Sequence, residues 1–306
     1  MNNYIIGQYD HFSNEKFKKD YREGIYGIEA CLMKSEEDIN YLSKVLKEYD
    51  LKLGVHFPLR GGVHKARDPL FLHPDKEIRL ASLAQIEEEL NYIKEKQIKP
   101  EYILFHYPKP VIIPKNFDLS RWRFYDRSEY IYEEQYSFEL LMEQSDMLFQ
   151  WLSIKASEYS FIPVLELDAL NKYILNTNFL EELLIKYPSI RLCIDIGRIH
   201  IQSRIDASFD GINILNRFPP YCEILHLWQA KVGETVQFGH HPLLPELMPE
   251  DGWAEVEKYF EIIKSKNRNI KLFFEHRSDL ITDEQLNTCY EWIDSLYNRD
   301  GVLPDK

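Results

Sequence analysis

Four residues end short apolar runs that read as strands: Val-Leu-Glu166, Cys-Ile-Asp195, Ile-Leu-His226 and Phe-Phe-Glu275. An ionised carboxylate in such a run is costly unless it is paired or holds a metal. Three carboxylates gathered at one place repel and raise each other's pKa unless a cation sits among them. One imidazole with three carboxylates is a mixed nitrogen and oxygen donor set. It suits Mn²⁺, Co²⁺, Mg²⁺ or Zn²⁺ and leaves positions open for a substrate. The same design recurs earlier, in Gly-Ile-Glu29, Gly-Val-His56 and Leu-Phe-His106.

These points make one site only if the elements beneath them converge. Eight strands are predicted: Tyr4–Tyr9, Gly27–Cys31, Lys52–Phe57, Tyr102–Tyr107, Phe161–Leu167, Arg191–Ile196, Glu223–Gln229 and Lys271–Glu275. Helices are predicted between and after them: Asn14–Arg22 behind Ser13, Ser35 to Tyr49, Asp75–Lys96, Tyr136–Tyr159, Asn178–Lys186, Asp210–Asn216, Ala254–Lys264, and one from Thr282. Strict alternation of strand and helix predicts a parallel sheet with crossover helices. Eight units in 306 residues predict an α/β fold, a closed (β/α)8 TIM barrel, as one domain over residues 1–306 with long loops on its C-terminal face. The strand C-terminal ends are where such a barrel carries its site. Parity agrees: Glu166 is in phase with Val164, and His226 with Ile224 and Trp228, so each can face the axis with its neighbours.

Three long loops stand over that face. Pro58–Pro74 contains Arg60-Gly-Gly-Val-His64-Lys-Ala-Arg67, which reads as a solvated loop before it reads as a phosphate cradle. Pro108–Gln135 is dense in aromatic and charged residues. The third carries Phe238-Gly-His-His-Pro242 and Pro249-Glu-Asp-Gly-Trp253. Trp122, Tyr125, Trp228 and Trp253 are the expected roof.

The net charge of −13 disfavours binding to a phosphate backbone, so no nucleic-acid partner is expected. The four cysteines, Cys31, Cys193, Cys222 and Cys289, form no CxxC pair and read as reduced thiols of a cytoplasmic protein. No secretory leader is visible at Met1-Asn-Asn-Tyr-Ile-Ile, and no apolar run is long enough to span a bilayer, so no membrane partner is expected.

The order Glu166…Asp195…His226…Glu275 at successive strand ends, with His56, His106 and the His-Pro…Gly-Trp loop, resembles the xylose isomerase-like barrel superfamily. That superfamily includes sugar (phosphate) isomerases and epimerases and the endonuclease IV class. The resemblance implies one divalent metal on Glu166, Asp195, His226 and Glu275. It implies sugar or sugar-phosphate isomerisation or epimerisation through an enediolate, with Glu166 and Glu275 as general base and acid. Substrate contacts are then expected from His56, His106, Arg198, Trp122, Trp228 and His241. One departure is visible. Many members carry Asp-x-Gly-His after the sixth strand, and this chain has Asp195-Ile-Gly-Arg198. Arginine offers no lone pair to a metal, so a third metal of the nuclease type is not expected. The rival readings are a metal-dependent phosphoesterase of the endonuclease IV type and a non-catalytic ligand-binding barrel. A small carbohydrate is the expected partner, and homo-oligomerisation is left open.

Overall fold

Strand Tyr102–Tyr107 is buried at all six positions. A strand closed off on both faces needs a packed layer on each side, which is the setting of a parallel sheet under helices. The computed structural model, which describes residues 2–64, 66–124 and 126–298, has that architecture. Its strands are β1 (Tyr4–Tyr9), β2 (Gly27–Cys31), β3 (Lys52–His56), β4 (Tyr102–Tyr107), β5 (Val111–Ile113), β6 (Tyr130–Tyr132), β7 (Ile162–Leu167), β8 (Arg191–Asp195), β9 (Cys222–His226), β10 (Gln229–Val232), β11 (Val236–His241) and β12 (Lys271–Phe274). A closed parallel barrel runs β1-β12-β9-β8-β7-β4-β3-β2 and returns to β1. Register sets the site: His106 pairs with Glu166 across β4 and β7, and Asp195 with His226 across β8 and β9.

The helices are α1 (Asn14–Asp20), α2 (Glu36–Glu48), α3 (Lys76–Glu95), α4 (Phe138–Tyr159), α5 (Lys172–Asn176), α6 (Phe179–Lys186), α7 (Ile196–Ile205), α8 (Gly211–Arg217), α9 (Val256–Lys266) and α10 (Asp283–Asn298). Ser13, Ser35, Asp75 and Ser137 accept first-turn N–H groups of α1, α2, α3 and α4. Each cap satisfies a donor that the helix itself leaves unpaired.

Apolar side chains form three layers. The largest lies between sheet and helices. A smaller one, including Ile5, Leu104, Val164, Cys193, Ile224 and Phe273, fills the barrel axis. Val164, Ile224 and Cys193 share the parity of Glu166, His226 and Asp195, so the axial core and the site are one set of strand faces. A third layer, with Val111, Phe117, Trp122, Trp228 and Val232, roofs the C-terminal end.

The short helix α5 is not among the expected helices, and three further features depart from the sequence expectations. The sixth barrel strand is shorter than the expected Arg191–Ile196: β8 stops at Asp195, whose side chain caps α7 by accepting from the Arg198 N–H. The cap forces the chain directly from strand to helix. The expected strand Glu223–Gln229 divides, because β9 ends at His226 and Gln229 begins the β10–β11 hairpin. The stretch Pro108–Gln135 is also not all loop, since β5 and β6 pair in parallel inside it.

Candidate metal centre and active site

Each barrel strand delivers its polar residue at the same end. β7 brings Glu166, with a side chain 1% exposed, among three imidazoles. Its Oε2 lies 3.2 Å from His56 Nε2, 3.5 Å from His106 Nε2 and 3.6 Å from His226 Nδ1. That oxygen is buried and makes no hydrogen bond. Two compact groups of donor atoms meet at Glu166, one of His56, His106 and Glu166, the other of Glu166, Asp195 and His226. Within each, all donor atoms lie within 4.8 Å of one another. Glu275, just past β12, has Oε2 3.1 Å from His226 Nδ1, and its side chain is 11% exposed.

A buried, unpartnered carboxylate oxygen costs about 1–3 kcal/mol or more. One that faces imidazole nitrogens in a nest of acids is matched by a divalent cation. Asp195 points the same way. Burial, then Glu275 and Glu166, push its carboxyl up to about 7, and Arg198 and His226 pull it the other way without offsetting that crowding. Its orientation is fixed from behind. Oδ1 accepts the Arg198 N–H at 3.0 Å and Oδ2 accepts the Trp228 indole N–H at 2.8 Å. Carboxylates have lone pairs to spare beyond these, and such outer hydrogen bonds aim a metal ligand. The donor set therefore fits a divalent ion. Burial opposes ionisation of Glu275, but His226 and His240 prevail and hold it down to about 2.

Arg198 was expected to meet substrate, and the structure spends its guanidinium on the protein. Nε donates to Glu166 Oε1 at 2.7 Å, and Nη1 to Asp168 Oδ1 at 2.9 Å. Nη2 lies 3.2 Å from His106 Nε2. The physical reason is charge: an arginine over buried acids pairs with them before it can serve a ligand. Behind it stands a network absent from the sequence reading. Buried Lys109 bridges Asp168 at 2.9 Å, Asp68 at 3.1 Å and Glu129 at 3.2 Å. Asp68 in turn accepts from His106 Nδ1 at 2.9 Å. Asp68 can only accept and the Arg198 Nη2 can only donate, so these partners place the ring proton on Nδ1 and the lone pair on Nε2, and burial lowers the His106 pKa in the same sense. Asp168 has a legible signal, since it follows Glu166 by two residues, just past the end of β7. Asp68 and Lys109 have none.

The remaining predicted contacts fall in the roof. Trp228 is 4% exposed. Its ring stacks on His240 at 4.2 Å and 13°, and Gly197 lies so close that a Cβ there would sit 2.4 Å from a ring atom. The indole supports Asp195, and His240 and Gly197 lie against its ring. Trp122, 6% exposed, packs edge-on against Phe117 in the roof core. His241 on β11 contacts the Pro242 carbonyl through Nδ1 at 2.8 Å and leans on Trp253. Tyr125 lies outside the described residues.

No protein-family model and no curated protein matches the chain. Solved structures do. A Thermus thermophilus protein, TTHB071, soaked with ZnCl2, is similar at TM-score 0.60 and 16% identity, over 96% of this chain and 97% of that one. D-psicose 3-epimerase in the presence of D-fructose is similar at TM-score 0.56 and 10% identity, over 97% and 100%. A xylose isomerase-like TIM barrel protein from Mycobacterium smegmatis, in complex with magnesium, is similar at TM-score 0.52 and 11% identity, over 92% and 86%. At these identities the likeness is one of fold.

Proposed function

We propose that this chain, which has the fold of the xylose isomerase-like TIM barrels, is a divalent-metal-dependent isomerase or epimerase of a sugar or sugar phosphate. The observation that carries the reading is Glu166 Oε2, unpartnered and ringed by imidazoles, with an ionised Glu275 beside it. Solved neighbours that include a 3-epimerase, a barrel soaked with ZnCl2 and a barrel in complex with magnesium support it. The ion, when bound by Glu166, Asp195, His226 and Glu275, supplies Lewis acidity toward adjacent substrate oxygens.

The chain's residues do the rest. Glu275 is the general base for a proton next to a carbonyl, because its side chain reaches the barrel mouth and its carboxyl stays ionised. Glu166 is the opposing carboxylate. Burial notwithstanding, it stays well below the usual carboxylate range, with the Arg198 guanidinium donating to its Oε1 at 2.7 Å. His56, 1% exposed, closes the floor of the site. The roof around Trp122 and Trp228 keeps out water, which protects a carbanion-like intermediate from side reactions.

Metal analysis of purified protein followed by deuterium exchange from solvent tests the reading. D-fructose, D-psicose, D-tagatose and their phosphates form the panel. Exchange into one of them, lost on chelation and restored by Mn²⁺ or Co²⁺, is expected. Metal-loaded protein that exchanges none of them yet hydrolyses bis(p-nitrophenyl) phosphate would overturn it. The second donor group, His56–His106–Glu166, is what favours that phosphoesterase reading.

A further inference from the structure

The two donor groups share Glu166 but differ in what already fills them. His106 has one lone pair to give, at Nε2, because Nδ1 donates to Asp68 at 2.9 Å. The Arg198 guanidinium takes that lone pair at 3.2 Å and, through Nε, also holds Glu166 Oε1 at 2.7 Å. On the other side Arg198 Nε lies 3.4 Å from Asp195 Oδ2, a looser contact with a group that keeps lone pairs free. His226 Nδ1 faces Glu166 and Glu275, and its Nε2 makes no hydrogen bond.

The guanidinium is braced. Asp168 accepts from Nη1 at 2.9 Å, and Lys109, 3% exposed, ties Asp168 to Asp68. One buried lysine thus sets both the arginine and the histidine it faces. A divalent ion beside His106 would have to displace this cation or lie against it, and like charges in a buried site repel strongly.

We infer that Arg198 is an internal cation that occupies the His56–His106–Glu166 group in place of a second divalent ion and holds the barrel to one metal. This rests on the metal-dependent reading above. It makes this position the point at which the chain is kept from two-metal hydrolysis, where paired ions activate a water and steady the leaving oxygen.

The test is equilibrium titration of chelator-treated protein with Mn²⁺ or Zn²⁺ alone, with bound metal counted by elemental analysis and folding checked by circular dichroism. Wild type is expected to bind one equivalent. Arg198→His is expected to bind two, and adding His106→Ala to it should return the count to one. His106→Ala in the wild-type background should still bind one. A wild-type count of two, with one lost on His106→Ala, would overturn the inference. So would a folded Arg198→His that binds only one. If Arg198→His does not fold, the single His106→Ala variant decides by the same count. A wild type that binds none removes the metal-dependent function, and the inference is then judged separately, by whether Arg198→His gains an ion.

Discussion

Glu275 differs from the acids around it in reach: its side chain is 11% exposed, against 1% for Glu166 and Asp195 and 2% for Asp168. A base must touch the proton it removes, so Glu275→Gln is expected to slow carbon–hydrogen exchange by about 10²–10⁴-fold. The amide can still offer an oxygen to a metal, so bound metal should be largely kept. Exchange at the wild-type rate would take Glu275 out of the mechanism. Asp168 supports a different expectation. Burial opposes its ionisation, yet Lys109 and Arg198 bring it to about 2. A depressed carboxyl stabilises the fold fully above its unfolded pKa of about 3.9 and loses that contribution as pH falls toward 2. That depression corresponds to about 2–3 kcal/mol. In urea unfolding, the stability gap between wild type and Asp168→Asn should therefore shrink between about pH 4 and pH 2; a constant gap would count against the ion pairs. Glu166, Asp195, His226 and Glu275 were legible because a polar residue late in an apolar run is costly and therefore conspicuous. Asp68 and Lys109 were not, since both lie off the barrel strands and meet His106 or Asp168 only across the folded structure. Nothing periodic marks such residues.

At the level of elements, the barrel strands and most helices were readable from apolar runs and capping residues, to within a residue or two. The misses have two causes. Asp195 is both a site residue and the cap of α7, and its place at the end of an apolar run shows only the first role. The β10–β11 hairpin begins at the end of the expected strand Glu223–Gln229, because Leu227 and Trp228 continue the apolar run past His226 while the backbone leaves the sheet. These elements meet at Gly197. A Cβ there would lie 2.4 Å from the Trp228 ring, which also stacks on His240 of the hairpin and donates to Asp195. Gly197→Ala is therefore expected to push the indole off Asp195 at a cost of about 1–3 kcal/mol, as for other overpacked sites. Metal affinity should weaken and tryptophan emission shift together. Unchanged emission with unchanged affinity would show that Trp228 does not hold Asp195. The same roof predicts that ligand binding alters tryptophan fluorescence and protease sensitivity of the 108–135 and 229–241 segments.

For the whole molecule, alternation of strand and helix was enough to anticipate a closed eight-stranded barrel, and the closing pair β1–β12 confirms it. Among the described residues, no helix is long and apolar enough to cross a membrane. What the alternation could not supply is how charge is distributed once the chain folds. The chain carries −13 overall. At the site, the cations nearest the acids are already used: Arg198 is shared among Glu166, Asp168 and His106, and Lys109 among three carboxylates. A protein that grips a duplex needs basic groups free to replace the counterions of several phosphates, and its affinity then falls steeply with salt. Here the net field is repulsive and the site's own cations are committed inward. We therefore expect no binding to duplex DNA in a gel-shift assay at low salt. The same protein should still titrate with a divalent metal. A salt-sensitive complex of micromolar or tighter affinity would require basic groups that act outward against the net charge. It would also move the balance from the sugar reading to the phosphoesterase one.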